Sequence, residues 1–194
     1  MESAVYSTTK PGSARRALFC AAFYLLIALT LAASLSRSRA ADRLGPRVII
    51  SPWQLSFRVP KRFMPYDTMF EINGEIQPFG KNLPNGGTVV VAVRRFVVTS
   101  GVDPGSVCRE LVRGHIAGRE DGQAMPLPTP SPAPIGPYPG VEIIDPGRSV
   151  LVRVAIPSAT EGLAVELVVQ GALIDDALYE VFDQMSRSIQ KENS

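Results

Sequence analysis

A chain of 194 residues has room for one domain of ordinary size with accessories and too little for two large ones. Hydrophobic residues make up 45% and charged residues 20%, which excludes a disordered polyelectrolyte and a multispan membrane protein. The net charge of +2 belongs to the N-terminus: from Asp42 onward 15 basic residues face 17 acidic ones, a balance that argues against a nucleic-acid-binding body.

After a basic tail, residues 1–16, the run Ala17 to Leu35 holds nineteen residues without a charge. As a helix it would extend roughly 28 Å, close to the hydrocarbon thickness of a bilayer. It is expected to be a transmembrane signal anchor. The competing reading is a cleaved signal peptide, for which Ala32-Ala33-Ser34 and Ser38-Arg39-Ala40 offer small residues. Lys10, Arg15 and Arg16 before the run against Arg37 and Arg39 after it favour an N-terminus kept inside. Either reading places the body, expected as one domain over residues 47–190 after a linker at 36–46, on the extracytoplasmic side. Residues 191–194 are a tail.

Trp53, Leu55, Phe57 and Val59 alternate with Gln54, Ser56 and Arg58, the pattern of a half-buried strand ended by Pro60. Asn73-Gly74, between Phe70-Glu71-Ile72 and Glu75-Ile76, predicts a tight hairpin. Residues 88–98, TVVVAVRRFVV, read as a strand covered on both faces. Arg94 and Arg95 must point to opposite faces, so they cannot grip one anion together, and snorkelling near the strand's end explains them.

Asp103-Pro104 predicts a helix N-terminus, with Val107, Cys108, Leu111, Val112 and His115 recurring at helical spacing to about Ala117. Cys108 reads as a small buried residue and His115 as a side chain at the helix end. Arg109 and Arg113, an i,i+4 pair of like charge, lie on the other side, where solvent or a partner would meet them. Residues 126–139, with seven prolines, predict a stiff extended loop inside the domain. Strands follow at 141–144, 150–156 and 163–169, with Glu166 expected to point outward. Leu178, Val181, Phe182, Met185 and Ile189 form one stripe of a closing helix over 175–190.

The expected class is thus α+β, an antiparallel sheet flanked by helices. Two elements resemble the α/β/α sandwich domains related to the photosystem PsbP protein, the bacterial DcrB-like proteins and the mycobacterial LpqN-type lipoproteins. Phe57-Arg58-Val59-Pro60-Lys61-Arg62-Phe63 is similar to their opening strand and turn, although their usual Gly-Trp is here Arg62-Phe63. Phe182 through Ile189 is similar to their closing helix, and the Pro-rich loop is a departure. The resemblance implies a non-catalytic exported module that supports assembly or stability of a larger complex, or binds a ligand, and it transfers no site residue.

The residues themselves carry no catalytic or metal-binding motif. Cys20 and Cys108 cannot build a disulfide framework, and the single His115 has no zinc-ligand spacing. No nucleophile elbow, His-Glu-x-x-His or phosphate-cradling loop occurs. No cofactor or metal is expected. A membrane-tethered extracytoplasmic interaction module is the leading expectation, with a protein partner in the envelope and Trp53, Arg109 and Arg113 as contact residues. Core packing of Trp53 and plain solvation of the two arginines are the simpler explanations. A small-molecule or lipid-binding envelope protein and an envelope hydrolase are the alternatives. For the hydrolase, Glu142 and Asp145 are the nearest acidic candidates, more simply read as exposed strand-edge charges. Partner, ligand and oligomeric state are not encoded in any motif.

Overall fold

The computed structural model describes residues 44–50, 53–65, 76–117 and 126–192. The expected anchor over 17–35 and the hairpin at Asn73-Gly74 lie outside them. Among the described residues no helix is long and apolar enough to cross a membrane.

Two antiparallel sheets and two helices make up the described part. Strands β1 (Leu44–Ile50) and β2 (Leu55–Pro60) pair, and β10 (Gln190–Lys191) joins the other edge of β2. The larger sheet has the order β3 (Met64–Pro65), β4 (Ile76–Asn82), β5 (Thr88–Val97), β9 (Glu161–Gln170), β8 (Val150–Ser158), β7 (Gly140–Ile144), β6 (Ser131–Pro132). Both of its edge strands are two residues long and contain a proline, which leaves little free ladder for another chain to extend.

Helix α1 (Pro104–Ile116) packs on β7 and β8. Its cap is the predicted one: the Asp103 carboxylate accepts from the Ser106 backbone N–H at 2.9 Å, and Pro104 opens the first turn. Cys108, Val112 and Ile116 meet Val150, Val152, Val154 and Ala164 in one core. The opposite face of the sheet is covered by α2 (Asp176–Arg187) and the small sheet. There Phe57 and Val59 of β2, Val89, Val91 and Val93 of β5, Leu163, Val165 and Leu167 of β9, and Phe182 and Met185 of α2 form the larger core.

Several expectations are corrected by packing. Strand β1 begins at Leu44, three residues before the expected start of the domain. Strand β5 is sealed on the face of Val89, Val91 and Val93 up to its last residue, Val97, which is exposed, and Val90 on the other face is half-buried, because α1 reaches β7 and β8 and stops short of β5. Helix α2 ends at Arg187, not Gln190. Ser188 donates through Oγ to the Met185 carbonyl and accepts from the Arg58 N–H, and the chain then turns into β10 against Ser56.

The Pro-rich loop is part of the body. Ser131 and Pro132 pair with Glu142 and Val141, Ile135 is fully buried in the larger core, and Gly136 donates to the Ser186 carbonyl at 2.9 Å. Gly136 has φ +54, and a Cβ there would stand 2.0 Å from the Ile189 carbonyl oxygen, so glycine is required twice over. Arg62 adopts φ +69 in the turn after β2, a left-handed conformation that glycine takes without strain.

Candidate functional site

On the α1 face, beside the part of the sheet that α1 leaves uncovered, a half-open hollow is lined by Ile76, Val90, Ala92, Arg94, His115, Glu166 and Val168. It has room for about one water molecule. Two strands and a helix set the polar end. Strands β5 and β9 pair Arg94 with Ala164, so Arg94 and Glu166 share a face two residues apart along β9. His115, in the last turn of α1, comes down from above.

Glu166 is 2% exposed and is held from both sides. Arg94 Nε donates to Oε1 at 2.6 Å, and His115 Nε2 lies 2.5 Å from Oε2. Burial pushes the Glu166 carboxyl up, but the hydrogen bond from His115 and the charge and hydrogen bond of Arg94 outweigh it and hold the group below the ordinary range. An ionised carboxylate offers acceptors alone, so His115 Nε2 carries its hydrogen and donates. The arrangement can fix the C-terminal end of α1 to the sheet. Its acceptor oxygens are already engaged.

A second buried charge cluster lies on the opposite face, under α2. Arg153 is 1% exposed; its Nε donates to Glu142 Oε2 at 2.7 Å, and its Nη1 stands 2.7 Å from Asp183 Oδ1 at an angle unsuited to a hydrogen bond. Tyr179 donates to Glu142 Oε1 at 2.8 Å, and the guanidinium lies over the Phe182 ring at 5.2 Å from its centre. Burial disfavours the Arg153 cation, yet the hydrogen bond and charge of Glu142 and the charge of Asp183 more than offset it and raise its affinity for the proton.

The buried charges overturn four readings of the sequence. Glu166, expected outward, is the buried centre of one site. Glu142, expected as an exposed strand-edge charge, pairs across the sheet with Arg153. Asp145, expected in the same way, is buried and locks the turn after β7, accepting from the backbone N–H groups of Gly147, Ser149 and Val150. Arg94 does not snorkel but pairs with Glu166, while Arg95 goes to the opposite face, as expected, and meets Glu161 at 3.0 Å. Alternation could have revealed Glu166: Ala164 on its own face of β9 is apolar, and an apolar run on both parities marks a strand covered on both sides.

The expected contact residues do not meet. Trp53 is half-buried against the larger core on the α2 side of the sheet. Arg109 and Arg113 belong to α1 on the other side, the first half-buried and the second exposed. Cys108 is buried, donates to the Val152 carbonyl at 3.2 Å, and has its thiol pushed up to about 12, chiefly by burial. No cluster of three metal-ligating side chains occurs among the described residues.

No family model matches the sequence, and no curated protein matches it. Solved structures do. The solution structure of cyanobacterial PsbP from Synechocystis sp. PCC 6803 is similar with a TM-score of 0.51 at 13% identity, over 75% of this chain and 91% of that one. A Bacteroides thetaiotaomicron VPI-5482 protein (TM-score 0.41, 11% identity, 77% of this chain and 49% of that one) and the Saccharomyces cerevisiae Ran-binding protein Mog1p (0.40, 11%, 75% and 94%) are too distant to carry an argument. The described chain has a PsbP-like fold, and at 13% identity the likeness reaches the fold alone.

Proposed function

We propose that the chain is a non-catalytic module, tethered to a membrane by residues 17–35 with its C-terminal domain extracytoplasmic, that supports assembly or stability of a larger protein complex. The observation that carries this reading is the state of the hollow beside α1. Its titratable groups are spent on one another, Glu166 between Arg94 and His115, and its remaining lining, Ile76, Val90, Ala92 and Val168, is aliphatic. Such an arrangement secures the position of α1 and so of what its outer face presents. That face carries Arg109 and Arg113, which make no ion pair among the described residues. Arginines presented by a helix fixed in place suit an acidic partner surface.

The experiment is crosslinking of the tagged full-length chain in its native membranes, followed by mass spectrometry of what co-purifies. A partner at near-stoichiometric yield is expected, and its loss in the folded Arg109→Glu/Arg113→Glu variant assigns the contact to α1. Recovery of the chain alone overturns the assembly reading, and unchanged recovery of a partner by the variant removes the two arginines from it.

A further inference from the structure

Charge is unevenly distributed along the folded part. Residues 43–65 carry five basic residues and no acidic one, whereas residues 66–194 carry 10 basic and 16 acidic. The fold brings three of the five, Arg58, Lys61 and Arg62, to one end. Leu44 pairs with Pro60, so the point where the chain arrives from residue 43 lies beside the turn bearing Lys61 and Arg62. Arg58 reaches the same place and donates through Nε to the Gly45 carbonyl at 3.2 Å. Lys81 comes from β4, which pairs with β3 through Gly80 and Met64; its Nζ stands 5.3 Å from the centre of the Phe63 ring. Met64, 68% exposed, follows that turn in the chain and pairs with Gly80 beside Lys81. Arg58, Lys61 and Arg62 are exposed and Lys81 is half-buried. None of the four forms an ion pair among the described residues, in contrast to Arg47, which meets Glu192 at 2.9 Å.

We propose that this end is a contact surface for anionic lipid headgroups, formed by Arg58, Lys61, Arg62 and Lys81 with Met64. The inference rests on the reading of residues 17–35 as a membrane tether. Eight residues, 36–43, separate that run from Leu44 and extend at most about 28 Å, so a tether there would keep the basic turn beside Leu44 within that reach of a bilayer. On so short a leash a weak contact is occupied, because the lipid surface is always at high effective concentration. Unpaired cations attract an anionic leaflet, and an exposed thioether beside them suits the boundary between headgroups and acyl chains. The acidic remainder is repelled by the same leaflet, so the charge asymmetry orients the domain as well as holding it.

The test uses residues 43–194, which form one compact unit containing both cores, in flotation with vesicles. Phosphatidylglycerol–phosphatidylcholine vesicles are compared with phosphatidylcholine alone. The domain is expected to float with the anionic vesicles at low salt, to be released as salt rises, and to stay below with the neutral ones. Each basic residue reversed should lower partitioning about five-fold or more, so Lys61→Glu/Arg62→Glu/Lys81→Glu should abolish flotation with an unchanged circular-dichroism spectrum, whereas Arg109→Glu/Arg113→Glu should float as the parent does. Equal flotation of the triple variant overturns the proposal. So does failure of the parent to float at low salt, including the case where it binds an acidic protein instead. Alkaline carbonate extraction of the full chain reports on the tether alone: a chain that is extracted, with a domain that still floats, loses the tether and keeps the lipid surface.

Discussion

The seven-stranded sheet buries an arginine–carboxylate pair on each face, and the two pairs are built for different surroundings. Under α2, Arg153 is enclosed by Glu142, Asp183, Tyr179 and the Phe182 ring, with the Pro-rich loop and the small sheet completing the cover. Beside α1, Glu166 is as deeply buried, but its partners Arg94 and His115 remain 21% and 15% exposed and border a half-open hollow. The Arg153–Glu142 pair, 1% and 10% exposed, depends on both members, since removal of one leaves a charge with little water to turn to, whereas Asp183 at its edge is 24% exposed and also meets Arg187. A pair at the rim of a hollow can recover solvent, so its loss is milder and its titration is open to measurement.

The largest effect is therefore expected under α2. Arg153→Leu leaves Glu142 without its cation beneath the helix, while Asp183 keeps Arg187, and should destabilise the domain by about 3–5 kcal/mol, read from urea unfolding. A loss below about 1 kcal/mol would mean that α2 shifts to admit water, and the contrast between the faces would fail. Gly136→Ala tests the cover of the same face. The new methyl group would collide with the Ile189 carbonyl at a positive φ, and a loss of about 2–4 kcal/mol is expected from displacing the loop, with conformational strain supplying roughly 1–2 kcal/mol of it. Preserved stability would show that the Pro-rich loop is a removable accessory.

On the α1 face, Glu166→Gln keeps the shape of the side chain and removes the charge that Arg94 and His115 share. A loss of about 1–3 kcal/mol is expected near neutral pH. The pH dependence sharpens the comparison. The Glu166 carboxyl lies below its ordinary value of 4.5, so as pH falls the unfolded chain takes up the proton first; stability present above pH 4.5 is lost progressively beneath it. The difference between parent and variant should shrink over that range. A difference independent of pH down to acid unfolding would refute the ionised carboxylate.

Much of the frame was legible because local rules and packing agreed. Asp103-Pro104 and Asp175 cap the two helices they were expected to start, and the alternation in residues 150–156 and 163–169 matches the pairing of β8 with β9. The charge clusters were not legible, for a physical reason. Glu166 and Glu142 find their partners outside their own strands, 72 residues away for Arg94 and 11 for Arg153, whereas Asp145 is engaged by the backbone of the turn that follows it. A lone carboxylate in a strand is read as solvent-facing until the sheet order is known. Helix α2 is misjudged at its end for the same reason, since β2, far earlier in the chain, takes Gln190 into a sheet.

The smallest effect bears on whether the hollow is a real gap in the packing. Val90 lines it and is half-buried, while its neighbour Val91 points into the closed core on the other face. Adding one methylene at each position keeps the β-branched shape that suits a strand and changes little else. Val90→Ile should fill space that now admits about one water, and stabilise the domain by up to about 0.8 kcal/mol, the value of a buried methylene. Val91→Ile should instead force its neighbours off their rotamers, with a loss of about 1–3 kcal/mol. Opposite signs for two adjacent residues of one strand would trace the difference between the faces to the reach of α1, which covers β7 and β8 and leaves β5 half open. Equal losses would place Val90 in a close-packed wall, and the hollow would then be a groove too shallow to leave the carboxylate cluster open to solvent.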